Sequence, residues 1–155
     1  MAEKDWIQII NEQNMIQKIV STNQFTERFG LTLSEDEAQL LVTERKNSLR
    51  EQGRVEFGGG ILEKLIFQFC DSPYIRQDNY VETIERLQDI FYLYKNESLD
   101  ELSDDELLEY MQAEFNGACA GDLDLLEDTA LEDFARRIRA QTGKYIGRSR
   151  REDDI

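Results

Sequence analysis

The sequence predicts an all-α protein, an irregular bundle of five to six helices with at most one very short strand near 54–57. Three observations carry this. Ser34/Glu37, Asn79/Glu82 and Ser103/Glu106 each place an N-capping side chain three residues before a glutamate, the pattern in which both ends satisfy free backbone N–H groups. Apolar residues recur at three- and four-residue spacings through most of the chain. A single proline, Pro73, interrupts 155 residues, and one alternation, Arg54-Val55-Glu56-Phe57, reads as strand or extended linker.

The elements follow in order. Segment 5–22 sets Trp6, Ile9, Ile10, Ile16, Ile19 and Val20 near one side of a helix, so all six are expected in the core. Phe25, Phe29 and Leu31 lie in a short connection broken at Gly30. The next helix starts at Ser34, with Leu33 stapling onto Ala38, and stops at Gly53. Its apolar stripe of Ala38, Leu41, Val42 and Leu49 is thin, which predicts a peripheral helix. Residues 61–70 are apolar on most of a helical circumference and are expected in the middle of the fold.

Ser72 and Pro73 open a new turn. The helix 79–95 then carries Tyr80, Ile84, Leu87, Phe91 and Tyr94 at spacings of four, three, four and three, the strongest amphipathic pattern present. Helix 103–116 presents Leu107, Leu108, Met111 and Phe115, and Gly117 closes it. The last helix, 122–142, presents Leu123, Leu126, Ala130, Phe134 and Ile138, with Gly143 as its stop. This gives a single domain over 1–146 and a flexible charged tail over 147–155.

Charge narrows the function. Thirty-three acids against 18 bases give −15, which opposes a phosphate backbone and an anionic membrane surface alike. No apolar run approaches the ~20 residues of a membrane span, and Met1–Trp6 has no basic segment leading into an apolar one, so the expected location is cytoplasmic. Cys70 and Cys119, 49 positions apart, form neither a metal motif nor a redox pair and read as reduced, buried thiols. Histidine is absent, which removes the usual near-neutral acid–base group and leaves no partner for a nucleophilic serine or cysteine.

The remaining candidates are few. Gly58-Gly59-Gly60 precedes a helix, where a phosphate can sit, but Ile61 and Leu62 replace the lysine and hydroxyl residue of a P-loop, so a turn is the simpler reading. Glu82-x-x-Glu85 followed by Glu101-x-x-Asp104 resembles the magnesium motif of all-α nucleoside-triphosphate pyrophosphatases, in which carboxylates one turn apart on facing helices hold Mg²⁺. With 19 glutamates such pairs arise by chance, and Glu101 falls before its helix, so solvated helix surface is the alternative. From Glu97 to Asp133 there are 14 acids and no base, and from Arg136 to Arg151 seven bases and no acid. These blocks can neutralise each other, in which case salt loosens the last helix. Tyr74, in an irregular connection, and Tyr92, off the main stripe, are candidates for a ligand groove or partner contact.

Two stretches, 60–75 (Gly-Ile-Leu-Glu-Lys-Leu-Ile-Phe-Gln-Phe-Cys-Asp-Ser-Pro-Tyr-Ile) and 92–108, resemble a family of small uncharacterised proteins of clostridia and related Firmicutes, a domain of unknown function. The similarity runs from about Phe25 to Ile138. It implies a bacterial cytoplasmic protein and supplies no activity, cofactor or site residue. The leading expectation is a non-enzymatic acidic helical protein acting through protein–protein contacts, with no cofactor, no nucleic acid and no membrane. A Mg²⁺-dependent phosphohydrolase and a small-molecule-binding module are the alternatives.

Overall fold

The computed structural model describes residues 2–56 and 60–141. Among these the chain is helical with no strand, and Arg54–Glu56 form none. It divides into two compact units, Met1–Tyr92 and Leu93–Ile155. The expected tail over 147–155, Gly58 and Gly59 lie outside the described residues.

In the first unit, helix α1 spans Ala2–Ser21 and packs against α3, Glu35–Glu51. Ile16 and Ile19 are buried, and Glu12 pairs with Lys46 across the two helices. The chain turns at Thr22 into a short helix α2, Asn23–Thr26, then a 3₁₀ turn, Glu27–Phe29, that ends at Gly30 in the left-handed region. The extended segment that follows has no strand to pair with, so side-chain amides replace one. Asn23 donates to the Leu33 carbonyl and accepts from the Leu33 N–H, both at 2.8 Å. Gln77 does the same for Thr32, accepting its N–H at 2.8 Å and donating to its carbonyl at 2.9 Å. The Asn23 clamp satisfies backbone groups of the buried Leu33 that would otherwise be orphaned, while the Gln77 clamp holds Thr32 at the surface.

Helix α3 begins as its sequence dictates. Ser34 Oγ accepts the Glu37 N–H at 3.1 Å and Glu37 Oε1 accepts the Ser34 N–H at 2.9 Å. Its end is fixed by Gly53 at φ +63°. The helix is less peripheral than its apolar stripe implied: Arg45 and Ser48 are buried alongside Ala38, Leu41, Val42 and Leu49. Helix α4, Leu62–Phe69, buries Leu62, Leu65, Ile66 and Phe69 completely, while Lys64 and Phe67 face outward. Phe67 meets Phe25 edge-on at 5.6 Å, and the Arg28 guanidinium covers the Phe25 ring at 4.1 Å.

A 3₁₀ turn, Gln77–Asn79, leads into α5, Tyr80–Glu97. Asn79 caps that turn through its Oδ1, which accepts the Arg76 N–H at 2.8 Å. Tyr80, Ile84, Leu87, Phe91 and Tyr94 are buried as the spacing requires. Thr83, Gln88, Ile90 and Tyr92 are buried too, so α5, rather than α4, is enclosed on most of its circumference. Gln88 accordingly donates from Nε2 to the Leu41 carbonyl at 3.2 Å.

The second unit holds the end of α5, then α6, Asp104–Asn116, and a last helix α7. Ser103 and Glu106 cap α6 reciprocally at 3.1 and 3.0 Å. Leu107, Leu108, Met111 and Phe115 are its buried face. Asp122 Oδ1 accepts the Asp124 and Leu125 N–H groups and starts α7 at Leu123–Leu125. The helix widens into a π turn, Leu126–Ala130, and resumes as α-helix over 131–141. The Tyr94 hydroxyl donates to the Leu126 carbonyl at 2.7 Å, supplying a partner where the widened turn loosens the helical ladder. Tyr94, Tyr110 and Phe134 stack within 4.9–6.0 Å of one another.

Candidate functional site

The four acids of the magnesium pattern are distributed as follows. Glu82 is exposed and Glu85 half-buried on α5, one turn apart in the first unit. Burial, reinforced by the charges of Glu44 and Glu82, raises the Glu85 carboxyl above its usual range. Glu101 is exposed in the turn before α6, and Asp104, the first residue of α6, accepts Lys95 Nζ at 2.9 Å. Among the described residues, no three acidic or cysteine side chains gather as a metal-holding group.

Tyr74 and Tyr92 differ sharply. Tyr74 is partly exposed between α4 and α5, where its carbonyl accepts from Asn79 Nδ2 at 3.2 Å. Tyr92, expected at a groove or partner surface, is completely buried. Its offset from the α5 stripe turns it inward, where its hydroxyl donates to Glu56 Oε1 at 2.8 Å. The same oxygen receives Arg45 Nε at 3.0 Å. Burial, followed by the charge of Glu56 and the hydrogen bond to it, drives the Tyr92 phenol far above its ordinary value, so it is a permanent donor.

Arg45 was not legible as part of a site, although it occupies a core register of α3, three residues after Val42. Its side chain is 8% exposed and that of Glu56 10%, so this is a buried ion pair. The rest of the guanidinium is poorly served. Nη1 reaches the Met15 sulfur at 3.6 Å, and Nη2 is buried with no hydrogen-bond partner among the described residues. Gly60 lies directly over the pair: a Cβ there would stand 2.4 Å from Glu56 Oε1 and 2.5 Å from Arg45 Nη2.

A second polar cluster joins α3 to α5. Asp89 on α5 faces Glu44 and Ser48 of α3, and its Oδ1 is buried with no hydrogen-bond partner among the described residues. Burial, then the hydrogen bond with Glu44, pushes the Asp89 carboxyl up to about 7, with the charges of Glu44 and Glu85 adding to the rise and Ser48 opposing it. The chain thus has a near-neutral proton holder despite having no histidine.

Beside these lies an open groove of about 1090 Å³ along α1 and α3, lined in part by Gln8, Asn11, Met15, Lys18, Arg45 and Lys46. Its lining mixes amides with charges that are largely engaged within the chain: Lys46 with Glu12, Arg45 with Glu56. It offers hydrogen bonds but no nucleophile paired with a base.

The most exposed apolar surface is on α1. Trp6, Ile7, Ile9 and Ile10 are 65, 59, 52 and 48% exposed. The periodicity that predicted Trp6, Ile9 and Ile10 in the core is real, but among the described side chains burial on α1 begins only at Ile16. Trp6, Ile7, Ile9 and Ile10 are left largely open. At the usual size of such residues the four expose roughly 450 Å², the size of the largest apolar patch on a typical monomer, which is often functional.

A family model matches residues 18–144. The chain belongs to the family of unknown function DUF6323. No curated protein and no solved structure matches it. Membership in DUF6323 brings no activity, cofactor or residue role. The matched span contains Arg45, Glu56, Asp89 and Tyr92, whereas Trp6–Ile10 precede it. The DUF6323 match therefore covers the buried polar clusters and leaves the exposed face of α1 outside.

Proposed function

We propose that this member of DUF6323 is a non-enzymatic helical module of the bacterial cytoplasm that acts through protein–protein contacts made by the exposed face of α1. The supporting observation is the cluster of Trp6, Ile7, Ile9 and Ile10, four large apolar side chains left open on one helix of an otherwise acidic chain. Fully burying one such side chain contributes roughly 1.5–3 kcal/mol, which gives a strong drive to cover the face. The −15 charge favours a protein partner over nucleic acid or an anionic bilayer. Among the described residues no helix is long and apolar enough to cross a membrane. Cys70 and Cys119 are free and buried, which suits a reducing compartment.

The test is differential capture. The full chain and its Trp6→Glu variant are used as bait in extract from the native cell, with distinguishable tags on bait and endogenous protein. Proteins held by the wild type and lost with Trp6→Glu support the reading. An identical captured set from both baits overturns it.

A further inference from the structure

We infer that the groove between α1 and α3 is a docking site for an extended acidic peptide of a partner protein, one that carries acids at alternate positions. The inference does not depend on the exposed α1 face, whose Trp6, Ile7, Ile9 and Ile10 are not lining residues of this groove.

The groove reverses the charge of the chain. Acids outnumber bases 33 to 18 overall, yet its walls set Lys18, Arg45, Lys46 and Arg50 against Glu12, Glu56 and Glu63. Lys46 pairs with Glu12, and Arg45 with Glu56. Lys18 and Arg50 are exposed and make no ion pair among the described residues. Glu63 offsets one of these two cations, so the groove keeps a positive surplus on a chain at −15.

Arg45 is an independent sign of a missing acceptor. Its side chain is 8% exposed and its Nε meets Glu56. Nη2 has no hydrogen-bond partner among the described residues, and Nη1 faces the sulfur of Met15, a weak acceptor that itself lines the groove. Buried donors left short of acceptors are costly. A ligand carboxylate that displaces the flexible Met15 side chain replaces that weak contact with a charge-assisted hydrogen bond.

The spacing of the cations selects the ligand. Glu12 meets Lys46 and Met15 meets Arg45, so α1 and α3 run antiparallel. Along their axis Arg50 lies about 7.5 Å to one side of Arg45, and Lys18, one turn beyond Met15, about 4.5 Å to the other. An extended chain places alternate side chains on one face about 6.6–6.8 Å apart, so three acids at alternate positions span about 13 Å and meet Arg50, Arg45 and Lys18 in turn. A small anion would need those cations gathered at one point. Gln8 and Asn11 also line the groove, where their amides can hold a peptide backbone as Asn23 holds that of Leu33 within this chain.

The test is the fluorescence anisotropy of labelled hexaglutamate titrated with the full chain up to about 1 mM. The expected result is saturable binding that weakens several-fold as salt rises from about 0.05 M to about 0.3 M. The double variant Lys18→Glu with Arg50→Glu should bind at least ~10-fold more weakly, because like charges then face each other. Both sites are exposed, so helical content should match the wild type. Arg136→Glu with Arg139→Glu makes the same change in net charge at exposed positions of α7 and should bind as the wild type does. Wild type that fails to bind, or two double variants that bind alike, overturns the inference. So does pyrophosphate that binds the groove as tightly as the peptide, which marks a small-anion site, or a labelled single-stranded oligonucleotide of the same length that binds equally well. Trp6→Glu should keep its affinity for hexaglutamate, so failure here is distinct from failure of the capture experiment.

Discussion

Tyr92 and Arg45 meet on one oxygen: Glu56 Oε1 accepts the Tyr92 hydroxyl at 2.8 Å and Arg45 Nε at 3.0 Å, inside the first unit. A single carboxylate thus compensates a buried cation and a buried phenol. Removing it should be the most damaging polar change in that unit. Glu56→Gln is expected to cost roughly 3–5 kcal/mol by leaving Arg45 buried without a counter-charge. Tyr92→Phe removes one donor from a carboxylate that keeps its arginine and should cost about 1–1.5 kcal/mol. Urea denaturation of the two variants checks the order, and equal losses would contradict the arrangement.

Gly60 should not tolerate a side chain. It sits at φ +61°, where a Cβ is strained, and that Cβ would collide with Glu56 Oε1 and both Arg45 Nε and Nη2 at 2.4–2.6 Å. Gly60→Ala is expected to cost about 2 kcal/mol or more. Gly30→Ala shares the left-handed conformation but meets nothing within 4 Å, so its cost should be about 1 kcal/mol. Chemical denaturation of the pair separates collision from strain.

Stability should fall as pH rises toward neutrality through Asp89. In the unfolded chain an aspartate loses its proton near 3.9. In the folded chain Asp89 keeps it up to about 7. Between these values the folded state binds more protons, so each step up in pH favours unfolding, and the effect levels off above 7. Glu44 and Ser48 face Asp89 from α3, and Glu85 adds its charge from α5. Asp89→Asn should flatten the slope between about pH 4 and 7 and leave the variant more stable than the wild type at pH 8. Thermal melts across that range decide it.

Two helix starts can be tested independently. Ser34→Ala and Ser103→Ala each remove a hydroxyl that accepts a backbone N–H at 3.1 Å. Each should cost about 1 kcal/mol. Hydrogen exchange should show fraying confined to the first turn of α3 in one variant and of α6 in the other.

The helices were largely legible because their starts are written locally. Ser34 and Ser103 cap by contacts that span three residues, and Gly53 marks a stop by its backbone alone, whereas Asn79, expected to cap α5 with Glu82, instead closes the preceding 3₁₀ turn by accepting the Arg76 N–H. The stripe from Tyr80 to Tyr94 was legible for the same reason. Trp6, Ile9 and Ile10 were misread because periodicity shows which residues share a side of a helix and is silent on whether anything packs there. Tyr92 was misread because it departs from the stripe, and its partner Glu56 is 36 residues away. Arg45 and Asp89 went unseen because a charge at a core register looks like an interruption until its counterpart on another element is known. The π turn at Leu126–Ala130 has no compositional mark, and the Tyr94 hydroxyl that donates to its Leu126 carbonyl comes from 32 residues away.

Cys70 is 2% exposed in the first unit and Cys119 4% exposed in the second, and burial raises both thiols above their ordinary value. Each is therefore shielded from alkylating reagents until its own surroundings open. One native thiol per unit makes the chain its own two-channel clock: the order in which Cys70 and Cys119 become modified under a pulse of reagent reveals whether the halves come apart together or one after the other.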